Sequence, residues 1–85
     1  MEKEICISEL EKLSHLYNIK IIIAEKMGKR WSYVTGAGEE QLLPARLIAK
    51  QGRYALFVEG NSFDKEMIVD SFRRTLKSFD LRESK

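Results

Sequence analysis

The chain has 85 residues, of which 44% are hydrophobic and 33% are charged, and its formal net charge is +2. This composition predicts one small folded domain with a thin core, because the apolar content suffices to offset chain entropy. A single cysteine excludes an intramolecular disulfide framework, and no segment approaches the roughly 20 apolar residues of a membrane span. Residues 1 to 4 lack the basic-then-apolar order of a secretory signal, so we expect a cytoplasmic protein.

The charges are unevenly distributed along the chain. Residues 1 to 18 carry four glutamates and two lysines, whereas residues 19 to 58 carry seven basic residues and three glutamates. Residues 59 to 85 are balanced. The positive excess therefore belongs to the middle of the chain, where the strands are expected.

A helix is predicted near the start of the chain. Ser8-Glu9-Leu10-Glu11 matches a capping box, in which the Ser8 hydroxyl accepts from the Glu11 amide. Leu10, Leu13 and either Leu16 or Tyr17 then form an apolar stripe, and Asn18 tolerates the left-handed backbone that closes a helix. Cys6 extends the same spacing backward, so an earlier start remains open.

Four strands are predicted to follow, at residues 19–24, 30–35, 45–50 and 53–59. The first is dense in isoleucine, whose stiff β-branched side chain suits a pleated sheet. Met27-Gly28-Lys29 and Gln51-Gly52 have the length and composition of tight hairpin turns. Residues 39 to 44 form a connection or a single helical turn.

The final segment predicts a second helix that Ser62 can cap, with Asp64 and Glu66 near its positive end. Its apolar stripe comprises Met67, Ile68, Phe72, Leu76 and Phe79. Residues 80 to 85 are expected to fray. The sequence thus predicts one α+β domain over residues 1–85, of αββββα order, with a four-stranded, mainly antiparallel sheet and both helices packed on it.

Strand alternation divides the side chains between two faces of this sheet. Taking the more apolar parity of each strand as inward predicts a core of Ile19, Ile21, Ile23, Trp31, Tyr33, Leu47, Tyr54, Leu56 and Val58, under Leu10, Leu13, Ile68, Phe72 and Leu76. The same parity predicts an outward face, both basic and apolar, of Lys20, Ile22, Lys26, Arg30, Val34, Arg46, Ile48, Lys50, Arg53 and Phe57. A monomer has little reason to leave these apolar side chains in water, so we predict that this face binds something.

No motif predicts catalytic, metal-binding or cofactor-binding residues. Cys6 lies between isoleucines with no base nearby, and His15 is the only histidine. Gly36-Ala37-Gly38 is followed by two glutamates, which would repel a phosphate. The Arg73-Arg74 pair is interpreted as a solvated helix face with Asp70 as a local partner. We therefore expect a non-enzymatic interaction protein.

Two kinds of partner fit the outward face. The first is a homodimer or another protein, with Ile22, Val34, Ile48 and Phe57 at the centre of the interface and the cations at its rim. The alternative is a single-stranded nucleic acid, which needs a positive surface with aromatic platforms. Four strands followed by a helix resemble the Whirly and purine-rich-element binding folds in topology alone, which implies the same alternative. An outward orientation of Trp31 and Tyr33 would favour the nucleic acid as the partner.

Overall fold

The protein folds as two helices and four strands in αββββα order. The computed structural model describes residues 7–41, 43–60 and 62–83, with side chains up to residue 77. Its elements are α1 (Ser8–Tyr17), β1 (Lys20–Met27), β2 (Arg30–Ala37), β3 (Arg46–Gln51), β4 (Tyr54–Glu59) and α2 (Lys65–Glu83). The predicted fold class is confirmed. No helix in the described part of the chain has the length and apolar character that a membrane span requires.

The strands form one antiparallel sheet in the order β2-β1-β4-β3. Two hairpins, β1–β2 and β3–β4, therefore lie side by side and are joined through their inner strands. Glu25 near the end of β1 pairs with Tyr54 at the start of β4, and the Lys26 amide donates to the Arg53 carbonyl at 2.7 Å. Both hairpin turns consequently lie at the same end of the sheet, which we call the turn end.

Each outer strand contains a bulge, at Val34 in β2 and at Ile48 in β3. Ile23 pairs with Thr35 while Ala24 pairs with Tyr33, so Val34 is the extra residue of its strand. The pairing of β3 with β4 shifts in the same way at Ile48, between Leu47 and Ala49. An extra residue changes which parity faces inward on either side of it. Regular alternation therefore fails in both outer strands.

The core lies between the helices and one face of the sheet, and most of the predicted interior is confirmed. Its fully buried centre comprises Leu10, Ile21, Ile23, Leu56, Val58, Ile68, Phe72 and Leu76. Val34 and Ile48 pack against this core from the bulges. Trp31, Tyr33 and Leu47 were wrongly assigned to it: their exposed fractions are 40%, 66% and 49%. The bulges are the reason, because they place these side chains on the opposite face.

Helix α1 begins and ends close to its predicted positions, although its first turn is closed differently. Ile7 is the N-cap, and the Glu11 amide donates to the Ile7 carbonyl at 2.8 Å, so the predicted cap at Ser8 is wrong. Asn18 has φ 55° and ψ 53°, the left-handed conformation that the sequence predicts for closure. Cys6 lies outside the described residues.

Helix α2 is capped by Asp64 rather than by Ser62. The Met67 amide donates to Asp64 Oδ1 at 3.2 Å, which is the geometry of a side-chain N-cap directly before Lys65. The helical backbone continues to Glu83, through part of the segment that was expected to fray. Residues 84 and 85 lie outside the described residues.

A polar contact joins the two helices on their outer surface. Glu9 of α1 accepts hydrogen bonds from Arg74 at 2.9 Å and from the Ser71 hydroxyl at 3.0 Å. The hydrogen bond from Arg74, and then that from Ser71, hold the pKa of Glu9 below its usual value. Arg74 thus pairs with the other helix, whereas the sequence suggested Asp70 as its partner.

Candidate binding face of the sheet

We use the name open face for the side of the sheet that the helices leave uncovered. Directly paired residues of neighbouring strands share a face, so the pairing assigns each side chain. The open face carries Lys20, Ile22, Ala24 and Lys26 from β1, Trp31, Tyr33 and Gly36 from β2, Leu47 and Lys50 from β3, and Ala55, Phe57 and Glu59 from β4. It is therefore aromatic and basic.

The structure places some residues of the predicted outward face on the open face and the others elsewhere. The structure places Lys20, Ile22, Lys26, Lys50 and Phe57 together on the open face. It places Arg30, Val34, Arg46 and Ile48 on the helix side, because the bulges change the parity of β2 and β3. Arg46 donates to the Gly60 carbonyl at 3.4 Å. Arg53 lies in the β3–β4 turn, and its Nε is 2.8 Å from Glu25 Oε2.

Trp31 lies on the open face near the turn end. Its ring meets that of Phe57 edge to face, with centroids 5.7 Å apart and an interplanar angle of 79°. Because β1 separates β2 from β4, Trp31 must lean across one strand to make this contact. Ala24 and Ala55 pair directly beneath, and their exposed fractions are only 4% and 0%. Because both alanines lie on the uncovered side of the sheet, their burial fits an indole that leans across β1.

Two lysine ammonium groups approach the same indole ring. Lys26 Nζ is 5.7 Å and Lys50 Nζ is 6.0 Å from the Trp31 centroid, within the usual limit of cation–π contact. Lys26 comes from β1 and Lys50 from β3, so strands from both hairpins contribute. The fold thereby brings Lys50 of the second hairpin to an aromatic ring that Lys26 of the first hairpin also approaches.

Tyr33 provides a second aromatic surface beside Trp31. A Cβ added to Gly36 would lie 3.1 Å from Tyr33 Oη and 3.4 Å from its Cε1, so the phenol ring lies over Gly36. The bulge at Val34 makes this possible because it brings Tyr33 and Gly36 to the same face. With two thirds of its side chain exposed, Tyr33 is supported from below and free to contact a ligand above.

Among the described residues, Glu59 brings the only carboxylate to the open face. It lies opposite Lys20 in the pairing of β1 with β4, and its Oε1 accepts from the Gln41 amide at 3.0 Å. No group of three or more His, Cys, Asp and Glu side chains in the described ranges is arranged to hold a metal ion. The open face can therefore offer stacking, apolar contact and positive charge.

The sequence analysis assigned Trp31, Tyr33 and Leu47 to the core, and it considered an outward orientation of Trp31 and Tyr33 only as the condition that would favour a nucleic acid. One local signal could have found Trp31: Ala24 and Ala55 are small residues within strands of bulky ones, which indicates that a large side chain covers them. Gly36, two residues beyond Val34, is a comparable signal for Tyr33, since a glycine within a strand often accompanies a bulge or a close aromatic contact.

Comparison of the chain with protein-family models, curated proteins and solved structures finds no match. The topological resemblance noted from the sequence therefore carries no argument, and the case for function depends on the geometry of the open face.

Proposed function

We propose that this protein binds single-stranded nucleic acid on the open face of its sheet. The observation that carries the proposal is the grouping of Trp31 with the ammonium groups of Lys26 and Lys50 at about 6 Å from its ring. Unpaired bases stack on aromatic side chains whatever their sequence, and lysines bind the phosphates that follow. The same small surface offers both contacts.

Stacking supplies most of the expected binding energy. Each base stacked on an aromatic ring contributes about 1–3 kcal/mol, and Tyr33 adds a second exposed ring beside Trp31. Paired bases in a duplex are already stacked on one another, so they cannot lie on these rings without separation. We therefore expect clear preference for single strands over duplex of the same sequence.

Charge favours a polyanion over a second copy of the chain. A symmetric dimer brings the same patch of each subunit together, so Lys20, Lys26 and Lys50 of one copy would approach those of the other. Lysine is depleted in the buried centre of protein interfaces, and like charges there oppose association. Self-association through this face remains a prediction from the sequence, and the experiment below distinguishes it from the present proposal.

The first experiment uses Trp31 as its own probe, because it is the single tryptophan of the chain. A single-stranded oligodeoxythymidylate, and separately an oligouridylate, would be added at low salt while tryptophan fluorescence and light-scattering mass are recorded. We expect quenching of Trp31 together with a gain in mass equal to bound oligonucleotide. A stable dimer whose mass and fluorescence do not respond to either oligonucleotide would contradict the proposal and support the sheet as an assembly surface.

A matched pair of variants tests whether binding occurs at this face. Lys50→Gln removes a cation beside Trp31, whereas Lys12→Gln makes the same change of charge on the exposed surface of α1. We expect Lys50→Gln alone to weaken binding and to reduce the slope of log affinity against log salt by about 0.7, the value for one phosphate contact with a single strand. Equal losses in the two variants would show that net charge, rather than the open face, attracts the oligonucleotide.

A further inference from the structure

The open face has opposite charge at its two ends. At the turn end it presents Lys26 and Lys50, and Lys29 lies in the adjoining β1–β2 turn. At the other end, Lys20 lies opposite Glu59, and Glu39 and Glu40 follow the end of β2. Since Lys20 and Lys26 are six residues apart on β1, these ends are about 20 Å apart. A phosphate is attracted to one end and repelled at the other.

The two exposed aromatic residues of β2 also belong to its turn half. Trp31 is opposite Lys26 in the pairing of β1 with β2, and Tyr33 is opposite Ala24, two residues farther along. The Cα atoms of residues i and i+2 of a strand are about 6.6 Å apart, and their side chains lie on one face. The Trp31 ring leans toward Phe57 and the Tyr33 ring lies over Gly36, so each ring can take one of two neighbouring bases of an extended, unstacked strand.

We infer that the ligand is a short unpaired segment that occupies only the turn half of the open face. Lys26 and Lys50 bind its phosphate beside Trp31, the two neighbouring bases stack on Trp31 and Tyr33, and the end around Lys20 and Glu59 stays outside the contact. This inference rests on the proposed function and adds the size of the ligand, its place on the sheet and the role of each ring.

Two lysines of the same strand and the same face provide the sharpest test. Lys26→Gln and Lys20→Gln make identical changes of charge on β1, at its turn end and its opposite end. With an oligodeoxythymidylate of six nucleotides, we expect Lys26→Gln to weaken binding by about threefold to tenfold, as for one lost charged contact. We expect Lys20→Gln to change it less than about twofold. Equal losses would overturn the placement at the turn end while leaving single-strand binding intact.

A length series tests the assignment of one base to each ring. We expect the affinity for oligodeoxythymidylates of one to eight nucleotides to rise steeply up to about three nucleotides and little thereafter. Tyr33→Ala should remove about tenfold from the affinity for the longer members while leaving mononucleotide binding unchanged. An affinity that keeps rising steeply to eight nucleotides, or that Tyr33→Ala does not alter, would overturn the inference. If the wild-type protein binds no member of the series, the proposed function itself fails.

Discussion

The two faces of the sheet differ in shape and charge far more than in hydrophobicity. On the helix side, Ile21 and Ile23 of β1 are completely buried among aliphatic and aromatic side chains of the helices. On the open face, the alternating residues of the same strand are Ile22 and Ala24, with a lysine at each end. The middle of β1 therefore presents apolar side chains to both faces, so apolar character alone does not distinguish the covered face from the open face.

The features that separate the two faces are the small residues and the cations. Ala24 and Ala55 are small residues that pair on the open face and are nevertheless buried, whereas the core side of the same strands carries Ile21, Ile23, Leu56 and Val58. Lys26 and Lys50 border the Trp31 ring. Side chains of the helices pack over the covered face. On the open face, Trp31 of the edge strand β2 packs against Phe57 and keeps part of its surface exposed.

The largest expected effect comes from neighbouring isoleucines on opposite faces. Ile23→Ala opens a cavity in the buried core and should lower the free energy of unfolding by about 2–5 kcal/mol. Ile22→Ala makes the same chemical change at a half-buried position one residue earlier, and it should lower the free energy of unfolding by less than half as much. Urea denaturation of both variants measures the difference. Equal losses would indicate that something covers the open face in solution, as a dimer would.

Gly36→Ala should have the next largest effect, because it disturbs the support of Tyr33. The new methyl group would lie 2.8 Å from the Ile21 carbonyl oxygen and 3.1 Å from Tyr33 Oη, so one of them must move. We expect a loss of about 1–3 kcal/mol in the free energy of unfolding. Combining it with Tyr33→Ala should recover part of that loss. A purely additive double variant would mean that Tyr33 does not lie over Gly36.

A smaller effect should come from the cap of α2, which belongs to the covered side. Asp64→Ala removes the side chain that accepts from the Met67 amide and should lower the free energy of unfolding by about 1 kcal/mol. Ser62→Ala is the matched control and should change it by less than about 0.5 kcal/mol. Trp31 emission should be the same in both folded variants, since this helix is on the other side of the sheet. The reverse order of the two losses would restore Ser62 as the cap.

The smallest effect should be the pH dependence of the contact between the helices. Because Arg74 and Ser71 hold the pKa of Glu9 below its ordinary 4.5, the carboxylate stabilises the fold above that pH, and the contribution is lost as the pH falls through the lowered pKa. The side chains of Glu9 and Arg74 are both more than half exposed, so the loss of stability will be small. Thermal denaturation of wild type and Glu9→Gln between pH 7 and pH 3 should show the difference between them shrinking with acid. A constant difference would contradict this role of Glu9.

The elements could be predicted from the sequence because each depends on local pattern. Isoleucine density marks β1, the spacing of Ile68, Phe72 and Leu76 marks α2, and the turn residues mark both hairpins. The open-face residues of β1 and β4 were also predicted correctly, since these inner strands pair with each other without a shift. Local rules succeed where the pairing is regular.

The side chains of β2 and β3 that lie on the open face could not be predicted in the same way. A bulge is defined by two residues facing one on a neighbouring strand, so it depends on pairing partners that are distant in sequence. The extra residue at Val34 puts Trp31 and Tyr33 on the open face and Arg30 on the helix side. The extra residue at Ile48 puts Leu47 on the open face and Arg46 on the helix side. The predicted outward face therefore shares Lys20, Lys26, Lys50 and Phe57 with the open face, but it lacks the aromatic residues Trp31 and Tyr33 that the structure places there.

The two bulges have a further consequence, because β2 and β3 are the edges of the sheet. A straight edge strand presents unpaired amide and carbonyl groups on which the strand of another molecule can add, and repeated addition leads to aggregates. An extra residue bends and twists the edge, which interrupts that regular row of groups. Val34 and Ile48 are thus placed where they oppose growth of the sheet by strand addition on both sides.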